Sequence, residues 1–195
     1  MADKVASVED QNAEPATAPH ALTVSRPALL RDGDDAMFRR LVHDLLAFSA
    51  RLEAVRTQFG AYLGLTGVQY TVLISVRHLQ DGAGVGVKAV AEHLGLSGAF
   101  VTIETGKLIK AGLLGKRENP RDRRRVLLSI TAKGAALLER LAPMQRQIND
   151  EIFRSLDAER FQALCDEAEA LRRDSDQALA LADFLLGEKA SRSAS

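Results

Sequence analysis

Two long stretches of the chain repeat an apolar residue every three or four positions. The first covers residues 34–63, and the second runs from residue 157 to about residue 186. This spacing places the apolar side chains along one side of a helix, as in helices that pair with another helix. A helix this long in a small protein seldom finds enough partner surface in its own chain, so we expect pairing with a second chain. The apolar positions are Phe38, Leu41, Leu45, Phe48, Leu52, Val55, Phe59 and Tyr62 in the first stretch, and Phe161, Leu164, Ala168, Leu171, Ala178, Ala182 and Leu185 in the second.

Shorter helical segments lie between these two stretches. The pattern predicts helices over residues 67–80, 87–94, 98–111 and 132–155. Three of them follow a residue with a hydroxyl group that can cap the helix N-terminus, namely Thr66, Ser97 and Thr131. Gln69, three residues after Thr66, completes the spacing of a capping box. The last of these helices contains Pro143, which is expected to bend it or weaken one hydrogen bond.

Two candidate strands separate the third and fourth of these short helices. They cover residues 113–117 and 126–130, and the eight residues between them, ENPRDRRR, contain four arginines. Helix, turn, helix and a two-stranded ribbon with a cationic tip is the layout of a winged helix-turn-helix. The predicted fold is therefore mainly α with a small β-wing (α+β), in which a winged helix-turn-helix lobe lies on a helical dimerisation domain.

The same pattern divides the chain into regions. Residues 1–33 are rich in Ala, Pro, Glu, Asp and Thr and are predicted to be a disordered tail. Residues 34–65 and 136–186 are the predicted dimerisation helices, and residues 66–135 are the predicted DNA-binding domain. A flexible tail is expected over residues 187–195.

Charge is distributed unevenly along a chain that is neutral as a whole. The 195 residues contain 26 Lys and Arg and 26 Asp and Glu. Residues 66–135 nevertheless hold eleven basic and five acidic residues, a net charge of +6. The remainder of the chain must then carry −6. A basic surface on an acidic scaffold favours a nucleic-acid partner.

Other sequence features indicate the cellular compartment and whether a metal or cofactor is expected. A single cysteine, Cys165, excludes an intrachain disulfide and favours a reducing compartment. The N-terminal residues contain no apolar signal-peptide core, and no apolar run approaches the roughly 18–20 residues of a membrane span. We therefore expect a cytoplasmic protein without membrane contact. The four histidines have no metal-ligand spacing with the cysteine or with carboxylates, so no metal or other cofactor is predicted.

Four motifs carry a resemblance to a known family. They are the end of the first long helix, LGLTGVQY; the helix-turn-helix VAEHLGLS, VT and KLIKAGLL; the wing segment NPRDRR; and LSITAKG after it. In these motifs, residues 34–186 resemble the MarR (multiple antibiotic resistance regulator) family of bacterial winged-helix transcription factors. The resemblance implies a homodimer that binds a pseudo-palindromic operator in double-stranded DNA. It also implies a repressor that is released by a small effector, often aromatic and anionic.

The predicted recognition helix, residues 98–111, offers few polar groups to the DNA. Thr102 and Lys107 are its polar candidates, and Ser97 can donate to a phosphate as well as cap the helix. The other outward positions near its start are apolar, namely Ala99, Phe100 and Ile103. Such side chains can contact a thymine methyl group. Base readout is therefore expected to depend on apolar contact or on DNA shape.

The wing supplies the predicted cations. Contacts to phosphates and the minor groove are expected from Lys116, Arg121, Arg123, Arg124 and Arg125. The resemblance to the MarR family further implies that Arg124 enters the minor groove and that Asp122 orients its guanidinium group.

The resemblance also places an effector pocket between the first two helices, the helix after the wing and the DNA-binding lobe. Arg51 and Arg56 are candidates for holding an anion, and Tyr70 and His78 for bonding a hydroxyl group. Arg51 and Arg56 flank the apolar seam of the first helix, so surface ion pairs are the alternative interpretation of both.

Two other classes of function are alternatives to a DNA-binding regulator. A winged-helix module for protein–protein assembly, with no DNA role, is favoured by the apolar Phe100 and Ile103, and the salt dependence of DNA affinity distinguishes it from a DNA-binding protein. An enzyme is not predicted, because the sequence contains no phosphate-binding glycine loop, no recognisable Cys–His or Ser–His pairing and no metal-ligand spacing.

Overall fold

The computed structural model describes residues 21–120 and 122–193, with the backbone alone for residues 123, 124 and 188–193. The described residues divide into two compact units, with the boundary between Gln58 and Phe59. Among the described residues no single helix is long and apolar enough to cross a membrane, and the helices over Ala36–Tyr62 and Gly67–Leu79 meet that criterion only as a bent pair.

The first unit contains an ordered segment that precedes the long helix α1 (Ala36–Tyr62). Asp35 is completely buried, and its carboxylate accepts the amide of Thr23 at 2.7 Å and the hydroxyl at 2.6 Å. Arg39 forms an ion pair with the same carboxylate. Residues 21–33 thus have a defined conformation, with a 3-10 helix at Pro27–Leu29, where the composition predicted disorder. The hydrogen bonds that order them join Thr23 to Asp35, twelve positions away, and composition does not reveal such a contact. Residues 1–20 of the predicted tail lie outside the described residues.

Acid is expected to release this segment. The hydrogen bonds from the hydroxyl and amide of Thr23 are the largest causes that lower the pKa of Asp35. Because the pKa of Asp35 is lower in the folded than in the unfolded protein, the ionised carboxylate stabilises the fold at pH values above the pKa of the unfolded state. This stabilisation is lost as the pH falls through the pKa of the folded state. Replacing Asp35 with Asn should therefore speed hydrogen exchange at the Thr23 amide near pH 7, and the difference from wild type should shrink in acid. Asp44→Asn, in an exposed pair with Arg40, is the control that should leave this amide unchanged.

Helix α1 confirms the long helix that the periodicity predicts. The middle of its apolar seam is exposed in the single chain, with Leu41 at 52%, Leu45 at 45% and Phe48 at 40%, whereas Phe59 near its end is buried. The helix ends in a turn in which Gly64 has a positive φ of 72° and Leu65 donates to the carbonyl of Gly60 at 2.8 Å. The seam is therefore an apolar surface that the described part of this chain leaves largely uncovered.

The core of the second unit is built from three helices. They are α2 (Gly67–Leu79), α3 (Val87–Leu94) and α4 (Gly98–Lys110). The predicted capping box begins α2, since Thr66 and Gln69 exchange side-chain to backbone hydrogen bonds of 3.1 Å. Ser97 caps α4 as predicted, accepting the amide of Phe100 at 3.2 Å. The buried residues that these helices share are Val72, Leu73, Val76, Val90, Val101 and Leu108.

A three-stranded antiparallel sheet follows, in the order β1 (Val85–Gly86), β3 (Asp122–Ile130), β2 (Leu114–Asn119). The two wing strands are longer than predicted, because Glu118 pairs with Val126 and Asn119 with Asp122. The loop of eight residues expected at the tip is thereby reduced to a short turn. Strand β1 was not predicted, since two residues carry no periodic signal.

Two helices complete the chain. Helix α5 (Ala132–Ile152) begins at Thr131, whose hydroxyl accepts the amide of Gly134 at 3.0 Å, and it continues through Pro143. Helix α6 (Ala158–Ser193) extends past the predicted boundary at residue 186. The backbone of residues 187–193 is helical rather than a flexible tail, because this part of the sequence has no proline and several good helix formers. The large apolar residues of the predicted seam are exposed along α6, namely Phe161, Leu164, Leu171 and Leu185.

Candidate nucleic-acid interface

The exposed side of α4 carries the residues that the sequence assigned to base readout. Ala99, Thr102 and Lys107 are exposed, as are Phe100 at 38% and Ile103 at 58%. The hydroxyl of Thr102 donates to the carbonyl of Gly98 at 2.7 Å, so its proton is used within the helix. What remains of Thr102 for DNA is an acceptor oxygen and a methyl group. The surface of this helix is therefore mostly apolar at its N-terminal end.

One acidic residue lies on the inward side of α4, among the buried Val101, Thr105 and Leu108. Glu104 is 6% exposed. Its carboxylate accepts the amide group of Gln69 at 3.3 Å and pairs with the ammonium of Lys107 at 2.6 Å. Lys107, a predicted DNA contact, is thus already ion-paired within its own helix.

The wing has one described ion pair near its tip. The guanidinium of Arg125 lies 3.1 Å from the carboxylate of Asp122. Arg121 and the side chains of Arg123 and Arg124 lie outside the described part of the chain, so the orientation of Arg124 by Asp122 stays a prediction. The predicted phosphate contact Lys116 is exposed on β2.

Arg117 ties the wing to the turn before β1, a role that the sequence did not reveal. Its Nε donates to the carbonyl of Ala83 at 3.0 Å, and Nη2 donates to Gly82 at 3.3 Å. The same turn packs tightly on β3 at Gly84, whose φ is +89°. A Cβ added at this position would lie 2.6 Å from the carbonyl oxygen of Leu128, so the turn has no room for a side chain there. These contacts join residues more than thirty positions apart, and no local pattern signals them. They fix the base of the wing against the turn that leads into α3.

A groove between α3, α4 and the wing brings the two predicted DNA-binding elements together. Its volume is about 660 Å³, and Thr102 of α4 and Arg125 of β3 both line it. Lys88 of α3 also lines this groove and pairs with Glu92 at 3.4 Å on the exposed surface. Lys88 is therefore a further cation beside the recognition helix that the sequence analysis did not single out.

The four predicted effector residues occupy different environments. Tyr70 is 2% exposed, its ring meets Phe59 edge to face at 5.7 Å, and its hydroxyl accepts Gln145 at 3.2 Å. His78 is exposed, and its ring centroid lies 5.9 Å from that of His93.

Arg51 is exposed and donates to the carbonyl of Ala47 at 2.9 Å, whereas Arg56 is half-buried. Because Tyr70 is buried and bonded to Gln145 of α5, it stabilises the core between α2 and α5. Effector binding by any of the four residues stays a prediction.

These features define a winged helix-turn-helix protein. Two helices joined by a tight turn precede an antiparallel wing, and exposed cations flank the groove between the recognition helix and the wing. The arrangement can place α4 in a major groove while the wing meets the backbone.

Comparison with known proteins finds a family model that matches the DNA-binding part of the chain. The MarR family model matches residues 63–125, from the end of α1 to the wing. The HTH-type transcriptional regulator YhbI of Bacillus subtilis is 29% identical over 100 residues, which cover 51% of this chain and 63% of that protein. The chain thus spans less than two thirds of that relative's length.

Solved structures share the fold. A MarR variant from E. coli complexed with operator DNA superposes with a TM-score of 0.55 at 22% identity, covering 70% of this chain and 94% of that one. The structure of Bordetella bronchiseptica BpsR, described for regulation of its DNA binding by 6-hydroxynicotinic acid, gives a TM-score of 0.53 at 27% identity, with 70% and 98% coverage. Over residues 63–125 the chain is similar to the MarR family, whose members are transcriptional regulators.

Proposed function

We propose that this protein is a cytoplasmic, homodimeric regulator that represses transcription from a pseudo-palindromic operator and is released by a small aromatic or anionic effector. The observation that carries the DNA-binding part is the groove of about 660 Å³ that Thr102 of the recognition helix and Arg125 of the wing both line. The net charge of +6 over residues 66–135 favours the same surface for a polyanion.

The uncovered apolar seams support the dimer. Leu45 in α1 is 45% exposed and Leu171 in α6 is 55% exposed, although each belongs to a periodic apolar stripe. A stripe of this length normally packs against another helix. A second copy would supply such helices and would place two recognition helices about one DNA turn apart, roughly 34–36 Å.

The effector part of the proposal rests on family relationship and on BpsR, which is described as regulated in its DNA binding by 6-hydroxynicotinic acid. A thermal-shift screen of aromatic carboxylic acids tests it, because a ligand that binds the native dimer raises its melting temperature. A compound that raises the melting temperature is also expected to release the protein from its operator. Stabilisation without release would contradict the proposed regulation.

Binding to the DNA upstream of the protein's own gene tests the central function. A gel shift with that fragment should show a complex that an excess of unrelated duplex does not remove. The alternative, a protein–protein module, is favoured by the exposure of Phe100 and Ile103. That alternative predicts no DNA complex at low salt.

A further inference from the structure

The recognition helix contains a buried carboxylate. Glu104 is 6% exposed on a helix whose other inward residues are Val101, Thr105 and Leu108. Removing a carboxylate from water is strongly unfavourable unless it is paired and hydrogen-bonded. An acidic group this close to a polyanion's binding surface also opposes DNA binding through charge repulsion. We therefore expect Glu104 to have a function that an apolar residue at this position could not perform.

The partners of Glu104 link two helices. One carboxylate oxygen accepts the side-chain amide of Gln69 at 3.3 Å, and the other pairs with the Lys107 ammonium at 2.6 Å. The carbonyl oxygen of the Gln69 side chain accepts the amide of Thr66 at 3.1 Å. A continuous series of hydrogen bonds therefore runs from the first turn of α2 to an exposed cation on α4.

Lys107 is restrained by this series but still accessible. Its side chain is 55% exposed, against 8% for that of Glu104. An ammonium group has three donors, so pairing with Glu104 leaves donors for a phosphate or a base. An unrestrained lysine is a mobile point charge that attracts any phosphate, whatever the DNA sequence. A lysine held beside a carboxylate has its charge largely cancelled and its position fixed.

We propose that Glu104 is a specificity-determining positioning residue. Together with Gln69 it holds the Lys107 ammonium at one place on the recognition helix and cancels its charge toward DNA in general. Lys107 then contributes to binding where the operator brings an acceptor to that place, and contributes little on random DNA. Because Ala99, Phe100 and Ile103 offer no side-chain hydrogen bonds, placement of Lys107 matters for the selectivity of this helix. The inference rests on the proposed DNA-binding function.

Replacing Glu104 with Gln in the full-length protein tests this inference. The substitution removes the charge and leaves an oxygen that can still accept from Gln69. The affinity for random duplex should rise, and its dependence on log salt should steepen by about one, the slope expected for one additional phosphate contact. The ratio of operator affinity to random-duplex affinity should fall about tenfold, equivalent to roughly 1.4 kcal/mol.

The matched control is Glu92→Gln. Glu92 lies on α3 and lines the groove between α3, α4 and the wing, in an exposed pair with Lys88 at 3.4 Å. Its replacement makes the same charge change and should also strengthen binding to random duplex. The operator-to-random ratio should stay within about twofold, because neither member of that pair is buried. An equal fall of the ratio in both variants would show a general charge effect and overturn the positioning role of Glu104.

Further variants separate the remaining outcomes. Adding Lys107→Gln to Glu104→Gln should return the salt slope on random duplex to that of wild type. If circular dichroism shows that Glu104→Gln is unfolded, Glu104→Met takes its place, because an apolar side chain at this buried position needs no hydrogen-bond partner. Wild-type protein without preference for its operator would defeat the proposed function. Wild-type preference that the folded Glu104 variant retains would defeat this inference alone.

Discussion

Replacing Arg124 with alanine is expected to weaken operator binding about tenfold or more while leaving the dimer intact. A specific arginine contact to DNA contributes roughly 1–3 kcal/mol, and each 1.4 kcal/mol corresponds to a factor of ten. The resemblance to the MarR family assigns this residue to the minor groove, where a narrow groove concentrates negative potential. Fluorescence anisotropy with a labelled operator measures the affinity, and sedimentation velocity measures the oligomeric state.

Arg125→Ala is the matched control for the wing. The guanidinium of Arg125 lies 3.1 Å from Asp122 and is largely exposed, so its loss should affect operator and random duplex similarly. A larger loss of operator affinity at Arg125 than at Arg124 would contradict the role implied for Arg124. It would indicate that Asp122 orients Arg125 instead. Dissociation of the Arg124 variant into monomers would contradict the assignment of this segment to the wing.

Replacing Leu45 with Asp is expected to convert the proposed dimer to monomers and to abolish operator binding at the concentrations where wild type is bound. Leu45 lies within the seam of α1 and is 45% exposed in the single chain. A carboxylate buried in an apolar contact without a partner costs several kcal/mol. A monomer loses the second half-site and with it most of the operator affinity. Sedimentation equilibrium at micromolar protein gives the association constant.

Ala54→Asp is the control for the seam. It adds the same charge to the same helix, about half a turn away from the stripe of Leu41, Leu45 and Leu52. This variant should remain dimeric and should bind the operator. A Leu45→Asp protein that stays dimeric would place the dimer contact elsewhere. Equal dissociation of both variants would indicate that the substitutions disturb α1 itself.

The elements that the sequence predicted are those with local signals. The seam of α1 spans many helical turns, so its period is unmistakable over residues 34–63. The hydroxyl caps at Thr66, Ser97 and Thr131 act within three residues, and each was found with the predicted hydrogen bond. Periodicity and capping depend on neighbours in the chain, which is why both are visible without a structure.

The features that escaped prediction depend on residues distant in sequence. Thr23 orders the N-terminal segment through Asp35, and the ties of Arg117 reach residues more than thirty positions away. The strands of the wing continue through charged residues, whose composition indicated a loop. The burial of Glu104 on α4 has no local signal either, because its partner Gln69 lies 35 positions earlier in the chain. The role of Arg124 at the wing tip stays a prediction because its side chain lies outside the described residues. The effector site stays a prediction because it depends on side chains distant in sequence.

The most direct test of the central claim is a salt titration of binding to the operator and to a random duplex of the same length. Operator affinity should be roughly a thousandfold or more above that for random duplex. The logarithm of both affinities should fall linearly with the logarithm of salt concentration. Equal affinity for the two duplexes, or binding that does not weaken as salt rises, would contradict a sequence-specific DNA-binding regulator.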